Sequence, residues 1–182
     1  MTQKTKTNEE READRMAMQR LEEEANIDVS EVIKYPPVSI SCGTYIDTDF
    51  RGNKTEYPIP IGTDGNFSFV QAFPKVGKSF LMSLIVSAYQ SGINQYTGII
   101  KGHRRGRKII HFDTEQGNFH AANVFKRPID MTGIKTDKYH TLALRQYSFN
   151  DRIEIIEHYL YDRLDAKDIG LVIIDGVADL CS

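Results

Sequence analysis

Eight consecutive residues, Ala72-Phe73-Pro74-Lys75-Val76-Gly77-Lys78-Ser79, set a small residue, four spacers and then Gly-Lys-Ser directly after the apolar run Phe67-Ser68-Phe69-Val70. Placed between a strand and a helix, that spacing suits the binding of phosphate groups. Consecutive backbone N–H groups wrap the anion, and the helix that follows presents its positive end to it. Lys78 is expected to reach the β- and γ-phosphates and Ser79 to offer its hydroxyl to Mg²⁺. Gly77 lets the backbone approach without a Cβ in the way. The whole segment from Ala72 to Phe80 is the expected cradle. It departs from the strict pattern at Ala72, where glycine is usual; alanine stays small but restricts φ.

Two carboxylates extend the site. Leu171-Val172-Ile173-Ile174 is an apolar run ending in Asp175, which places that carboxylate at the carboxyl end of a buried strand, where ligand crevices of parallel sheets lie. There it pairs with Ser79 as the second protein group near Mg²⁺. Lys108-Ile109-Ile110-His111-Phe112-Asp113 is another strand, followed by Thr114-Glu115-Gln116-Gly117. Glu115, two residues beyond that strand, is expected to orient or deprotonate the water that attacks a γ-phosphate. Asp113 competes for this role, or else anchors Gln116 or the turn. His111 reads as a strand histidine with its polar needs met.

The elements that must hold these groups follow from periodicity. Phe80, Leu81, Leu84, Ile85 and Ala88 give the helix from Lys78 to about Gln90 an apolar face. Asn118 to about Lys126 reads as a helix stopped at Pro128. His140 to Leu144 is a strand. Ser148 and Asp151 resemble a capping box for a helix whose face carries Ile153, Ile156, Leu160 and Leu164. Alternation of strands and helices predicts a parallel sheet with helices on both faces. Val38 to Ile61 alternates in short runs and predicts a small β lead-in, with turns at 49–53 and 62–65. Residues 8–25 are a charged, weakly amphipathic helix, closed off by Tyr35-Pro36-Pro37. The expected division is a charged helical leader over 1–34 and a nucleotide-binding domain over 35–182.

Bulk properties narrow the classes. The chain has 182 residues with 40% hydrophobic and 26% charged content, which fits a globular protein. No apolar stretch approaches the ~20 residues that span a bilayer. Cys42 and Cys181 make no disulfide framework and suggest reduced thiols in a cytoplasmic setting. A net charge of −2 does not mark a nucleic-acid binder. The basic loop Lys101, His103, Arg104, Arg105, Arg107, Lys108 offers local contact with nucleic-acid phosphates, or else is a solvated connection, as it lacks interleaved aromatics.

Taken together, Ala72 to Ser79, His111-Phe112-Asp113-Thr114-Glu115-Gln116 and Leu171-Val172-Ile173-Ile174-Asp175-Gly176 resemble the RecA-like ATPase core, most of all the RepA and DnaB type of hexameric helicase ATPases of plasmids and mobile elements. The resemblance covers roughly 60–182. It implies a RecA-like P-loop fold, with Glu115 as catalytic carboxylate, Lys78 on the phosphates, and Ser79 and Asp175 at Mg²⁺. It also implies ATP hydrolysis coupled to DNA work in a homo-oligomeric ring or filament. Such cores continue through a sensor strand, DNA-contacting loops and an arginine finger, so the chain is expected to be the front portion of a longer protein. Alternative readings are a nucleotide-gated regulatory module and an inactive fragment. A small-molecule kinase is disfavoured because Asp113-Thr114-Glu115-Gln116 looks suited to activating water.

Overall fold

The structure, a computed structural model, describes residues 7–32, 34–73, 76–92, 98–103 and 106–180. The chain divides into two units, Met1–Tyr35 and Pro36–Ser182. The first is built on α1 (Asn8–Ala25). Thr7 caps it in a reciprocal pair: its hydroxyl accepts from the Glu10 N–H (3.3 Å) while the Glu10 carboxylate accepts from the Thr7 N–H (2.7 Å). Met16, Met18 and Leu21 are exposed on this helix, so its order rests on caps and propensity more than on burial. Among the described residues no helix is long and apolar enough to cross a membrane.

The second unit contains two sheets. In the first, β1 (Val38–Thr48) pairs antiparallel with β2 (Lys54–Thr63) on one side and with β3 (Ile100–Gly102) on the other. The hairpin turn is fixed by Asp49, whose Oδ1 accepts from the Arg51 and Asn53 N–H groups (both 2.8 Å). Tyr45 lies opposite Tyr57 and their rings stack 5.6 Å apart. In the second sheet, β4 (Lys108–Asp113) is central and runs parallel to both β5 (Tyr139–Ala143) and β6 (Ile169–Asp175). The register sets Asp113 beside Asp175, so two acidic strand ends share one rim.

Alternation along β4 separates two cores. Ile109 packs with Ile173, Ile40 and the α2 (Lys78–Ser91) residues Val86 and Tyr89. Ile110 and Phe112 face the other way, against Leu144, Ile156 and Tyr159. Ile156 belongs to α4 (Phe149–Glu157), and Tyr159 to the π-helical turn His158–Arg163 that continues it. The Ser148–Asp151 capping box forms as its spacing suggests. Between β4 and β5 runs α3 (Asn118–Thr132), and it passes through Pro128 rather than stopping there. Pro128 is fully buried, so packing outweighs the lost backbone hydrogen bond.

This architecture corrects the expected fold. The expectation was a single mainly parallel sheet of RecA-like type with the Phe67–Gln71 segment as a strand; the molecule instead has two separate three-stranded sheets, one antiparallel and one parallel. Residues 66–73 have no regular structure, and Phe67, Phe69 and Phe73 are exposed. The cause is pairing. The chain before α2 has its strand hydrogen bonds in the local β1–β2 hairpin. Local antiparallel pairing costs less loop entropy than a distant parallel partner. The expected burial of the Leu171–Ile174 strand on both faces also fails at Val172, which is 38% exposed. Among the described strands, β6 has only β4 as a neighbour.

Candidate phosphate and metal site

Gly77 sits at φ 95°, ψ 21°, a left-handed conformation that turns the chain directly into α2 at Lys78. A Cβ there would meet nothing within 4 Å, so backbone conformation, not crowding, makes glycine the suitable residue. The first turn of α2 has no acidic residue and no side-chain cap. Gly77 offers its carbonyl to the Phe80 and Leu81 N–H groups (3.0 and 3.1 Å). The positive end of a 14-residue helix is thus left without an anion of its own.

Three distant segments meet in front of that end. The Lys78 ammonium lies 2.9 Å from Asp175 Oδ1 and 3.3 Å from Glu115 Oε2. Ser79 Oγ is 3.5 Å from Asp175 Oδ2, a hydrogen bond at the edge of its range, across 96 residues of chain. Asp175 is buried and Glu115 largely exposed, as suits a fixed ligand and a group facing solvent. Lys78 is held above its ordinary pKa, first by its hydrogen bond to Asp175, with partial burial opposing the shift. It therefore remains an ammonium at neutral pH.

Asp113 resolves into the anchoring role. It is fully buried, and its Oδ1 accepts from the N–H groups of Glu115 (3.0 Å) and Gln116 (2.8 Å), which shapes the turn carrying Glu115. Its Oδ2 has no partner among the described residues. Burial pushes its carboxyl pKa up against the pull of those two N–H groups. Thr114 closes the rim: its N–H donates to the Asp175 carbonyl (3.0 Å) and its hydroxyl to the Gly176 carbonyl (2.7 Å). His111 is buried beneath, with Nδ1 3.0 Å from the Tyr139 hydroxyl and its ring edge-on to Phe125. Burial lowers its pKa to about 4, so the ring is neutral.

The rest of the expected cradle is less uniform. Ala72, Phe73 and Val76 are exposed, with a long Val76 N–H to Phe73 carbonyl contact of 3.4 Å. Pro74 and Lys75 lie outside the described residues. Phe80 does not join the core; it is 65% exposed and lies beneath the Arg127 guanidinium, 4.0 Å from ring centroid to Cζ. Of the expected apolar face, Ala88 is buried, Ile85 packs against the core and Leu81 and Leu84 are half-buried, while the fully buried side of α2 also takes in Ser83, Val86, Ser87 and Tyr89. Of the basic loop, Arg107 pairs with Asp64 and Lys108 with Asp168, while Arg104 and Arg105 lie outside the described residues, as does Cys181.

Two contributors were missed in the sequence. Arg127, from α3, donates from Nη1 to the Ser79 carbonyl (3.2 Å) and the Ser83 hydroxyl (3.1 Å). The signal available was the serine at every fourth position, Ser79, Ser83, Ser87 and Ser91, a small polar stripe along α2 on which another helix can lie. Thr114 had no signal beyond its place after a strand.

The donor set suits a magnesium triphosphate. Among the described residues no group of three or more His, Cys, Asp or Glu side chains forms a metal cluster. Mg²⁺ on phosphates needs only one or two protein oxygens, with phosphate and water supplying the others. A hydroxyl facing a buried carboxylate, beside an ammonium and an uncapped helix end, meets that need. Comparison of the chain with protein-family models, with curated proteins and with solved structures gives no match.

Proposed function

We propose that the chain binds a magnesium nucleoside triphosphate, ATP by the resemblance of its motifs, and hydrolyses it. The observation that carries this reading is the meeting of Lys78, Ser79, Glu115 and Asp175, drawn from three segments, in front of the open N-terminus of α2. The buried Asp175 carboxylate needs the Lys78 ammonium as its counter-charge, but that does not account for Glu115 joining them. A half-exposed Lys–Glu pair contributes at most about 1 kcal/mol, and an uncapped helix end contributes nothing.

In this reading Lys78 and the N–H groups at the start of α2, ahead of the Phe80 and Leu81 N–H groups that donate to the Gly77 carbonyl, take the phosphate charge. Ser79 and Asp175 hold Mg²⁺, which when bound neutralises phosphate oxygens. Lys78 exchanges its contact with Glu115 for phosphate as the nucleotide enters. Glu115 then faces solvent as a free carboxylate. A water oxygen forms the new bond to the γ-phosphorus as the bond to the β–γ bridging oxygen breaks, and Glu115 accepts the water proton. Asp113 keeps the Glu115 turn in place through its two backbone hydrogen bonds. Coupling of this cycle to DNA, in a ring or filament of copies, is supported by motif resemblance alone, and stimulation of turnover by single-stranded DNA is its test.

Lys78→Ala removes a charge-assisted contact, so affinity for a fluorescent ATP analogue should fall by about 2–3 kcal/mol. Unchanged affinity defeats the assignment. Glu115→Gln should abolish turnover and leave binding intact. A protein that binds ATP and assembles on it, yet shows no turnover before any substitution, is a nucleotide-gated module instead.

A further inference from the structure

Along α2 the serines form a ladder. Ser83, Ser87 and Ser91 each donate to the carbonyl four residues earlier, at 2.8, 2.7 and 2.6 Å. Ser79 heads the ladder, and its hydroxyl turns outward to Asp175. Arg127 closes the ladder at this end. Its Nη1 donates both to the Ser79 carbonyl and to the Ser83 hydroxyl, which itself donates to that carbonyl, and its guanidinium plane covers the exposed Phe80 ring. A cation at a helix N-terminus opposes the macrodipole and stands near another cation, Lys78. It is held there by two acceptors, both reached from Nη1, and by an aromatic face on which the guanidinium lies.

We propose that Arg127 is a positioning residue for the metal ligand. Clamped between carbonyl, hydroxyl and ring, it fixes the peptide of Ser79, and with it the direction in which Ser79 Oγ projects toward Asp175. It touches neither nucleotide nor Mg²⁺; it acts through Ser79. This role rests on the magnesium-nucleotide reading above. It adds that the first turn of α2 is held from α3, a helix that contributes no other group to the site.

The test is a titration of the full chain with a fluorescent ATP analogue, first in EDTA and then across a Mg²⁺ series. Arg127→Gln should lower the apparent Mg²⁺ affinity of the nucleotide complex about ten-fold, the scale expected when a group supporting a metal ligand is lost. Affinity in EDTA, which depends on Lys78 and the helix end, should stay the same. Arg127→Lys keeps the charge without the planar guanidinium over Phe80 and should recover only part of the loss. Ser83→Ala, a small change that removes one leg of the clamp, should shift Mg²⁺ affinity in the same direction and by less. In a Ser79→Ala background Arg127→Gln should have no further effect. An equal loss with and without Mg²⁺, or full recovery by lysine, or additivity with Ser79→Ala overturns the role while leaving nucleotide binding standing. Failure of the unaltered protein to bind the analogue overturns both, and is told apart because no variant then differs from it.

Discussion

Asp113 and Glu115 differ by two positions and by almost everything else. One is buried and spends an oxygen on its own turn; the other is exposed and meets Lys78. The sequence could offer both as candidates but not separate them, because the separation depends on which side of the turn faces solvent. That Lys78 and Ser79 begin a helix and Asp175 ends a strand was legible, because Gly-Lys-Ser before an apolar stretch and an apolar run closed by Asp each carry that signal locally. Arg127 was not, since its partners lie 44 and 48 residues away and are chosen by how α3 lies on α2. His111, on the same strand as Asp113, gives a pH prediction. Unfolded, it protonates near 6.5; folded, burial defers protonation to about 4. Below pH 6.5 the unfolded chain therefore binds the extra proton first, and stability drains away as pH falls from 6.5 toward 4, by up to about 3 kcal/mol. The groups facing the ring are Tyr139 and, by its charge, Asp175, which opposes the shift. Urea unfolding at pH 7.5 and pH 5 should show the loss, and His111→Gln should shrink it. A pH dependence that His111→Gln leaves unchanged refutes a buried neutral imidazole.

Helices α2 and α4 and strands β4 to β6 could be read from periodicity because each carries its pattern within itself. The division into two sheets could not, because pairing belongs to two segments at once. Phe67–Val70 has strand composition but pairs with no strand, although β6 has an edge without a strand beside it among the described residues, while β3, three residues among glycines, becomes a strand beside β1. The position of β3 depends on close approach. A Cβ on Gly102 would come within 2.2 Å of the Ala88 carbonyl oxygen and 2.4 Å of the Tyr89 Cα. Those are backbone atoms of α2 and cannot rotate aside, so Gly102→Ala must push β3 off the helix. It should cost more than about 3 kcal/mol, beyond the ordinary overpacking range, measured by chemical denaturation. Gly117→Ala, at a site with open space, is the control. A mild effect at position 102 would mean that β3 rests only loosely on α2.

Within Pro36–Ser182 the two sheets are joined through one cluster. Ile40 from β1, Val86 and Tyr89 from α2, and Ile109 and Ile173 from β4 and β6 pack together, with Ile100 of β3 and Tyr139 of β5 at its margin. The helix that begins with Lys78 and Ser79 is therefore the same one that ties antiparallel to parallel sheet. Site and fold share a strut. Val86 is fully buried at the middle of this cluster, so Val86→Ala should cost about 2 kcal/mol through lost transfer energy and residual cavity. The loss should appear as one transition, with tyrosine fluorescence and far-UV ellipticity coinciding, because neither sheet keeps a complete core without α2. A ligand that bridges α2, the end of β4 and the end of β6 binds the folded state only. Magnesium ATP at about 100 times its dissociation constant should then return about 2.7 kcal/mol, enough to restore the variant to wild-type stability. Two separated transitions in Val86→Ala would show that the sheets do not depend on α2 together. A single transition that magnesium ATP fails to move would leave the coupling in place and remove the nucleotide from the site.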